Sequence, residues 1–260
     1  MTMSNMPAPL RLATWNCRMG LDRKRALVER LNADIVVIPE CARTNRIQDE
    51  IGVSSAWTGR YERKGLGVFG FDGWAVEPIR GHGNAWSLPS LVYSPDGVEQ
   101  FILVAMWTQG PERAGGLSYA AQVRGVIDHW KNEIADGRVV LAGDFNCSAQ
   151  TADPTAHLDN VRRLSEMGMH SAYHWAHGLP AGAEDAMTLR WVGRGGAASW
   201  FHCDFVFVPT GLAGRLTSVQ VGELRNGWGR ACLTTRLCAW RSRPSHPWQQ
   251  QMRRGLRRGC

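Results

Sequence analysis

Several features that would place a protein in a special class are absent from this sequence. No two of its seven cysteines have C-x-x-C spacing, and their odd number argues against a disulfide framework. No apolar run approaches the length of a membrane span, and residues 1–9 lack the basic and then apolar pattern of a secretory leader. The chain has no short-period repeat and no low-complexity linker. We therefore expect a soluble, cytoplasmic, monomeric protein with reduced thiols and no membrane partner.

Acidic residues are missing from residues 231–260, and this segment carries the whole surplus of positive charge. The 260-residue chain has a formal net charge of +7, and residues 231–260 contribute seven arginines. With these set aside, the basic residues of 1–230 equal the 23 acidic ones. We predict a basic, disordered tail over 231–260, with salt-sensitive nucleic-acid binding by this tail as an alternative. The zero net charge of residues 1–230 argues mildly against an extended nucleic-acid-binding surface on this part of the chain.

The remaining sequence has the composition of a globular α/β protein. Hydrophobic residues make up 44% of the chain and charged residues 20%, which excludes collagen-like, disordered and coiled-coil classes. A strand at 10–16, a helix at 23–31 capped by Asp22, and a buried strand at 34–39 open a mixed α/β domain over 10–230. Further strands are predicted at 65–71, 88–93, 101–107, 138–142, 187–192, 201–208 and 215–221, with helices at 118–134 and 156–167.

A glycine-rich string, Gly65-Leu66-Gly67-Val68-Phe69-Gly70, matches the G-x-G-x-x-G pattern of dinucleotide sites. Such a site needs the glycines to follow a strand and open a helix. Here the sequence continues as an aromatic, β-prone stretch. We therefore interpret these glycines as strand and turn features.

Polar side chains follow the ends of three predicted strands, and a fourth predicted strand carries one within it. They are Asn16, Glu40, the pair Asp144 and Asn146, and Asp204, which lies among apolar residues. Strand ends project into a shared cleft in α/β folds, and a buried carboxylate needs a partner. Oxygen ligands without histidine suit Mg²⁺ or Mn²⁺ better than zinc. Such a cation with Asp and Asn groups fits phosphate-ester hydrolysis.

Four strings carry a resemblance to a known family. Thr14-Trp15-Asn16, Pro39-Glu40, Gly143-Asp144-Phe145-Asn146 and the later Asp204-Phe205-Val206-Phe207 resemble, in order and spacing, motifs of the endonuclease/exonuclease/phosphatase superfamily. The resemblance covers residues 10–228. It implies the DNase I-like α/β fold, a four-layer sandwich in which two mixed β-sheets lie face to face between helices.

The resemblance also implies roles for the matching residues. Glu40 would ligate Mg²⁺ or Mn²⁺ together with Asn16. Asp144 would orient or deprotonate the attacking water, Asn146 would bind the phosphate or the transition state, and Asp204 would belong to the same cluster. The family cleaves DNA, RNA, lipid headgroups and inositol phosphates, so the phosphate-ester substrate stays open, nucleic acid included.

The middle of the chain departs from the family pattern. Many members carry a histidine on the strand that matches residues 101–107, where this chain has Trp107. An indole cannot accept a proton, so that role is absent or moved. Tyr119 and Gln122 could line the cleft, although we favour a packing role for Tyr119.

The C-terminal departure is larger, because the Ser-Asp-His string that closes the family domain does not occur. Ser245-His246-Pro247 is the nearest string, and it lacks the acid. Back-translation of residues 231–240, read from the third base of the first codon, permits Leu-Ser-Asp-His-Ala-Pro-Leu-Cys-Val. We hypothesise a frameshift near residues 229–231, which predicts that the final strand is missing or altered and that activity is impaired. A non-catalytic phosphate- or nucleic-acid-binding protein is the competing interpretation.

Overall fold

The computed structural model describes residues 9–43, 54–82, 84, 86–193, 195–222 and 233–237. The strands are β1 (Leu10–Thr14), β2 (Ile35–Cys41), β3 (Ser54–Tyr61), β4 (Lys64–Gly70), β5 (Ala75–Pro78), β6 (Ser87–Tyr93), β7 (Gln100–Trp107), β8 (Val139–Asp144), β9 (Met169–Ser171), β10 (Leu189–Val192), β11 (Ala198–Phe201), β12 (Asp204–Pro209), β13 (Leu216–Val221) and β14 (Leu233–Leu237). The helices are α1 (Arg25–Arg30), α2 (Tyr119–His129), α3 (Lys131–Ala135), α4 (Pro154–Glu166), α5 (Ala172–His177) and α6 (Thr210–Ala213), with a 3-10 turn at Leu21–Lys24.

Twelve of these strands form two mixed six-stranded sheets. The first sheet has the order β13-β14-β1-β2-β4-β3 and the second β5-β6-β7-β8-β12-β9, while β10 and β11 form a separate two-stranded sheet. The predicted α/β fold with two face-to-face sheets is confirmed. No helix in the described ranges is long and apolar enough to cross a membrane.

The main core lies between the inner faces of the two sheets. Alternate residues of each central strand point inward and are excluded from solvent, as the period of two requires. They include Leu12, Val37 and Val68 from the first sheet and Leu103, Val140 and Val206 from the second. The outer face of the first sheet packs on α1, and the outer face of the second packs on α2 and α4. The predicted layering of helix, sheet, sheet and helix follows.

The strand directions bring several strand ends to one edge of the sandwich. β1 and β2 run parallel, as do β7 and β8, and β12 begins opposite the end of β8. Asn16, just after β1, contacts Asp144 at the end of β8, so the ends of both pairs lie together. We call this end of the sandwich the polar edge.

Two details of the predicted helices are wrong. Asp22 caps no helix, because the chain enters the 3-10 turn through Gly20, whose φ of 65° is left-handed, and no side chain caps the turn or α1. The helix predicted over 118–134 is two helices, α2 and α3, which separate at Trp130 with φ −100° and ψ 12°.

The final strand, predicted to be missing or altered, is present in the segment that the structure describes beyond residue 230. Leu233–Leu237 forms β14 between β1 and β13, antiparallel to both, and Thr235 within it is fully buried. Its pairing with β1 extends from Leu233 opposite Thr14 to Leu237 opposite Leu10. The remainder of 231–260 lies outside the described residues, so the division at residue 230 stays a prediction.

Candidate active site

Asn16 joins the two sheets at the polar edge. Its side chain is 1% exposed, and its Nδ2 donates to Asp144 Oδ2 at 2.8 Å and to Glu40 Oε1 at 3.2 Å. Its Oδ1 accepts from the Arg18 backbone N–H at 3.0 Å, which fixes the orientation of the amide. One buried amide therefore holds carboxylates from both sheets in a single cluster, as the sequence motifs predict.

Glu40 sits on a bulge in β2. The register between β2 and β4 shifts between Pro39 and Cys41, and Glu40 has a φ of 60°, which is left-handed. A bulge re-aims a side chain that would otherwise alternate with its neighbours. The carboxylate thus turns toward Lys64, whose Nζ lies 2.9 Å from Glu40 Oε2.

The string Gly143-Asp144-Phe145-Asn146 ends β8 with a tight turn. The Asp144 carboxylate is fully buried, and its Oδ1 accepts from the Asn146 backbone N–H at 3.1 Å. Asn146 is left-handed with φ 47°, and its Nδ2 donates to the Thr108 carbonyl at 3.1 Å. Thr108 in turn donates from its hydroxyl to the Phe145 carbonyl at 2.6 Å. Asp144 is therefore held by the Asn16 amide and a backbone N–H, and Asn146 is held by a backbone carbonyl.

Asp204 lies beside Asp144 on the neighbouring strand. The two residues are directly opposite in the antiparallel pair of β8 and β12, and Asp204 is fully buried. The Thr188 hydroxyl oxygen accepts from the backbone N–H groups of Cys203 at 2.9 Å and Asp204 at 3.1 Å. The strand predicted over 201–208 is interrupted here, between β11 and β12.

Trp107 completes the row on the other side of Asp144. It pairs with Asp144 in the parallel register of β7 and β8 and is 8% exposed. The Lys64 Nζ lies 5.3 Å from the centre of its ring, a cation–π distance. The indole thus lies at the polar edge beside Asp144 and contacts the Lys64 ammonium.

Two further predicted residues, Gln122 and Tyr119, serve loop structure and packing. Gln122 is fully buried, and its amide pairs with both backbone groups of Gln109, at 2.8 and 2.7 Å. Tyr119 packs against the outer core of the second sheet, which agrees with the favoured packing role. The glycines of the string 65–70 belong to β4, so the strand interpretation is confirmed.

The thiols near the site are neutral at ordinary pH. Burial raises the pKa of Cys17 and of Cys147 to about 12 each, and burial also raises the pKa of Cys41. All three are reduced cysteines. Because a thiolate is the reactive form of cysteine, burial disfavours all three thiols as nucleophiles.

The donors at the polar edge fit a hard divalent cation held by few protein ligands. No set of three His, Cys, Asp or Glu residues in the described ranges is arranged to cage a metal. Mg²⁺ is commonly bound by one or two carboxylates with water and substrate phosphate as the other ligands. Glu40 offers one such carboxylate and already attracts a cation, the Lys64 ammonium. The part of Asn16 as a ligand stays a prediction, since its Nδ2 faces both carboxylates.

Sequence reasoning missed three residues of this cluster. They are Lys64, Thr108 and Thr188, and each acts through a partner far away in the sequence. Lys64 could have been singled out because lysine is rare in this arginine-rich chain, which holds only Lys24, Lys64 and Lys131. The two threonines carry no signal of their own, since their roles are hydrogen bonds to backbone groups.

Comparison with solved structures identifies the fold. The endonuclease domain of TRAS1, a telomere-specific non-LTR retrotransposon, is 15% identical with a TM-score of 0.66, covering 89% of this chain and 99% of that domain. A 3'-5' exonuclease from Neisseria meningitidis is 17% identical with a TM-score of 0.64, covering 88% and 100%. An AP endonuclease from Leishmania major is 14% identical with a TM-score of 0.67, covering 90% and 89%.

Because these sequence identities are low, the structural similarity establishes the fold alone. No family model matches the chain, and no curated protein sequence matches it. The solved structures are DNase I-like proteins of the endonuclease/exonuclease/phosphatase superfamily, and this chain shares their architecture over nearly its whole length. The fold that the four sequence strings predict is confirmed.

Proposed function

Starting from a chain with the DNase I-like fold, we propose that the protein is a Mg²⁺- or Mn²⁺-dependent phosphoesterase that hydrolyses a phosphodiester or phosphomonoester with activated water. The observation that carries this proposal is the bridge through Asn16, which holds Glu40 and Asp144 in one buried cluster. The similar solved structures include an endonuclease, an exonuclease and an AP endonuclease, which supports the same class of reaction.

The chain's own residues divide the work of this reaction. Asp144 accepts the proton of the attacking water, and its carboxylate is oriented for this by Asn16 Nδ2 and the Asn146 N–H. Asn146 binds a phosphate oxygen at the turn after β8. Asp204 adds a second carboxylate beside Asp144. Glu40 would hold the divalent cation, which when bound would neutralise charge on the phosphate oxygens and the leaving group.

Lys64 adds a positive charge that the sequence motifs do not include. Its ammonium lies at hydrogen-bond distance from Glu40 and above the Trp107 ring. At this place it neutralises the Glu40 carboxylate and attracts anionic substrate toward the polar edge. Trp107 cannot exchange a proton, so its part is to exclude water from one side of the cluster.

The C-terminal departure leads us to propose that this chain is a weakened enzyme. Leu233 pairs with Thr14, two residues before Asn16, so β14 begins at the polar edge. A histidine in the first residues of this strand would lie close to the cluster, and residues 233–237 contain none. A single acid/base group typically contributes ~10²–10⁴ in rate.

The test measures hydrolysis of bis(p-nitrophenyl) phosphate and p-nitrophenyl phosphate with Mg²⁺ or Mn²⁺. Two chains are compared, the present one and one in which residues 231–239 are replaced by Leu-Ser-Asp-His-Ala-Pro-Leu-Cys-Val. We expect the second to turn over ~10²–10⁴ faster, and Asp144→Asn to lower its rate by a similar factor. The control Asp136→Asn, at an exposed ion pair with Arg138, should stay within about twofold, because such pairs contribute little.

Three results would contradict these proposals. Equal turnover of the two chains would refute impairment. Turnover that survives Asp144→Asn would remove Asp144 from the reaction. Binding of inorganic phosphate without turnover by either chain would favour the non-catalytic binding protein.

A further inference from the structure

A two-stranded ribbon rises from the polar edge next to Asp204. It consists of β10 and β11, which pair with each other and with neither large sheet. Thr188, at its base, donates its backbone N–H to the Phe201 carbonyl at 2.9 Å, and its hydroxyl accepts from the Asp204 N–H. The ribbon is therefore anchored by the same residue that positions the start of β12.

The ribbon exposes large aromatic side chains that a structural hairpin would bury. Trp191 is 60% exposed and Trp200 is 48% exposed, and Val192 beside them is 45% exposed. Neither ring belongs to the hydrophobic clusters that the described residues form. Exposed aromatic groups of this size commonly mark a binding surface.

The register places the two rings on opposite faces of the ribbon. Trp200 lies directly opposite Arg190, while Trp191 lies opposite Ser199, one position along. Because successive residues of a strand alternate in face, each face carries one tryptophan. The Arg190 guanidinium carbon lies 5.7 Å from the centre of the Trp200 ring, so a cation is paired with one of the exposed rings.

The charge and position of the ribbon favour a nucleic-acid strand over a lipid surface. Residues 187–203 contain Arg190 and Arg194 and no acidic residue, which complements a phosphate backbone. A lipid surface favours one continuous apolar face, whereas here the rings are divided between two faces and one is covered by an arginine. Stacking requires only one ring face per base, which each tryptophan provides.

We propose that the ribbon binds unpaired bases of a nucleic-acid substrate, with Trp191 and Trp200 each stacking on one base and Arg190 contacting the backbone. This inference rests on the proposed phosphoesterase function and gives it a substrate class. The four residues of β10 reach about 13 Å from the polar edge at the usual strand rise. That length equals about four stacked bases, so the contacts lie within a few nucleotides of the hydrolysed phosphate.

The experiment measures binding by fluorescence anisotropy in EDTA, which prevents cleavage. The probes are a fluorescein-labelled single-stranded 12-mer of mixed sequence, the same 12-mer in duplex form, and labelled phosphatidylcholine/phosphatidylserine vesicles. We expect Trp191→Ala and Trp200→Ala each to weaken single-strand binding about 5- to 100-fold, because one stacked base is lost. Trp191→Phe and Trp200→Phe should restore most of the affinity.

The chain offers a matched control in Trp175. It lies on α5 and is 46% exposed, close to the exposure of Trp200, but it packs on His170 away from the ribbon. Trp175→Ala should leave both the 12-mer affinity and the diester turnover unchanged. Circular dichroism of every variant checks that the fold is intact.

Each other outcome overturns the inference. It fails if the full chain does not bind the 12-mer, if the ribbon variants bind it as tightly as the parent, or if they lose vesicle binding instead. The proposed function is judged separately, from turnover of the small diester by the parent chain. If the 12-mer binds through the ribbon but the parent chain does not hydrolyse the diester, the phosphoesterase proposal alone is refuted. If the parent chain hydrolyses the diester but the ribbon variants bind the 12-mer normally, the ribbon proposal alone is refuted.

Discussion

Backbone strain at single residues is concentrated where the polar edge is built. Glu40 and Asn146 are left-handed non-glycine residues, at φ 60° and 47°, and Gly143 has a φ of 141°. Such conformations cost roughly 1–3 kcal/mol each and persist only when the surrounding structure enforces them. Here the bulge in β2 and the hydrogen bonds of Asn146 enforce them, and the result is that Glu40 and Asp144 point into one cluster.

Gly143 is the residue at which this local geometry is most easily tested. A Cβ added there would lie 2.0 Å from the Met106 carbonyl oxygen, and the backbone angle disfavours any L side chain. We expect Gly143→Ala to lower the free energy of unfolding by about 2 kcal/mol or more and to displace Asp144. Urea denaturation measures the loss, with Gly125→Ala on α2, where an added Cβ meets nothing within 4 Å, as the control. Equal stability of the two variants would contradict the crowding argument.

Lys64 tests whether Glu40 is the cation ligand. The ammonium of Lys64 and a divalent cation compete for the same carboxylate, and this ion pair is only partly exposed. We expect Lys64→Met, which keeps the stem on Trp107, to tighten Mg²⁺ binding by about fivefold, the worth of ~1 kcal/mol. Isothermal titration calorimetry measures the change, with Lys131→Met on α3 as the control. Weaker Mg²⁺ binding by Lys64→Met would show that the lysine supports the metal site rather than competing with it.

At the scale of elements, the site depends on where strands begin and end. β12 starts beside the end of β8 because Thr188 accepts the backbone N–H groups of Cys203 and Asp204. The interruption between β11 and β12 therefore has a defined cause, and it frees the ribbon from the large sheet. The Thr188 hydroxyl oxygen thus helps to position Asp204, and Thr188 itself directly precedes β10.

Replacing Thr188 with valine removes the hydrogen bonds of the hydroxyl while the side-chain volume stays nearly the same. Thr188→Val keeps the shape and removes the hydroxyl that accepts from two N–H groups, at roughly 1–3 kcal/mol for each hydrogen bond. We expect the variant to lose about 2 kcal/mol or more of unfolding free energy and to lose diester turnover, because Asp204 moves. Thr155→Val on the exposed side of α4 should change neither quantity. A Thr188→Val chain with full stability would assign the positioning of β12 to strand pairing alone.

At the scale of the whole molecule, histidines buried under the second sheet couple stability to pH. His157 and His202 both pack on the ring of Phe205, at centroid distances of 5.3 and 5.0 Å. Burial lowers the pKa of His157 to about 4, although Glu184 acts in the opposite direction, and burial also lowers the pKa of His202. The native fold therefore favours the neutral imidazoles.

The sign of the pH effect follows from this preference. Between about pH 6.5 and 4 the unfolded chain binds a proton at His157 that the folded chain does not, so stability falls as pH falls through that window. The loss for this residue approaches roughly 3 kcal/mol at pH 4. We expect urea denaturation at pH 7, 5.5 and 4.5 to show it, and His157→Leu to flatten the profile. An unchanged profile in His157→Leu would assign the acid sensitivity to other groups.

The sequence by itself determined the parts of this protein that depend on short-range pattern. The strands before Asn16 and Glu40, and the strand that leads to Asp144 and Asn146, are readable because an apolar run stops at a polar residue. Parallel strands end at the same edge of a sheet, so these side chains were expected to meet, and Asn16 does join Glu40 to Asp144.

Only the tertiary structure decided the parts that depend on pairing across long separations. Lys64 meets Glu40 through the antiparallel pair of β2 and β4, and Thr188 meets Asp204 through a turn after the ribbon. β14 was missed because its five residues are stabilised by two neighbouring strands rather than by their own composition. A local pattern shows which residues can form a strand, whereas hydrogen bonds to distant partners decide which strands form and what their ends contact.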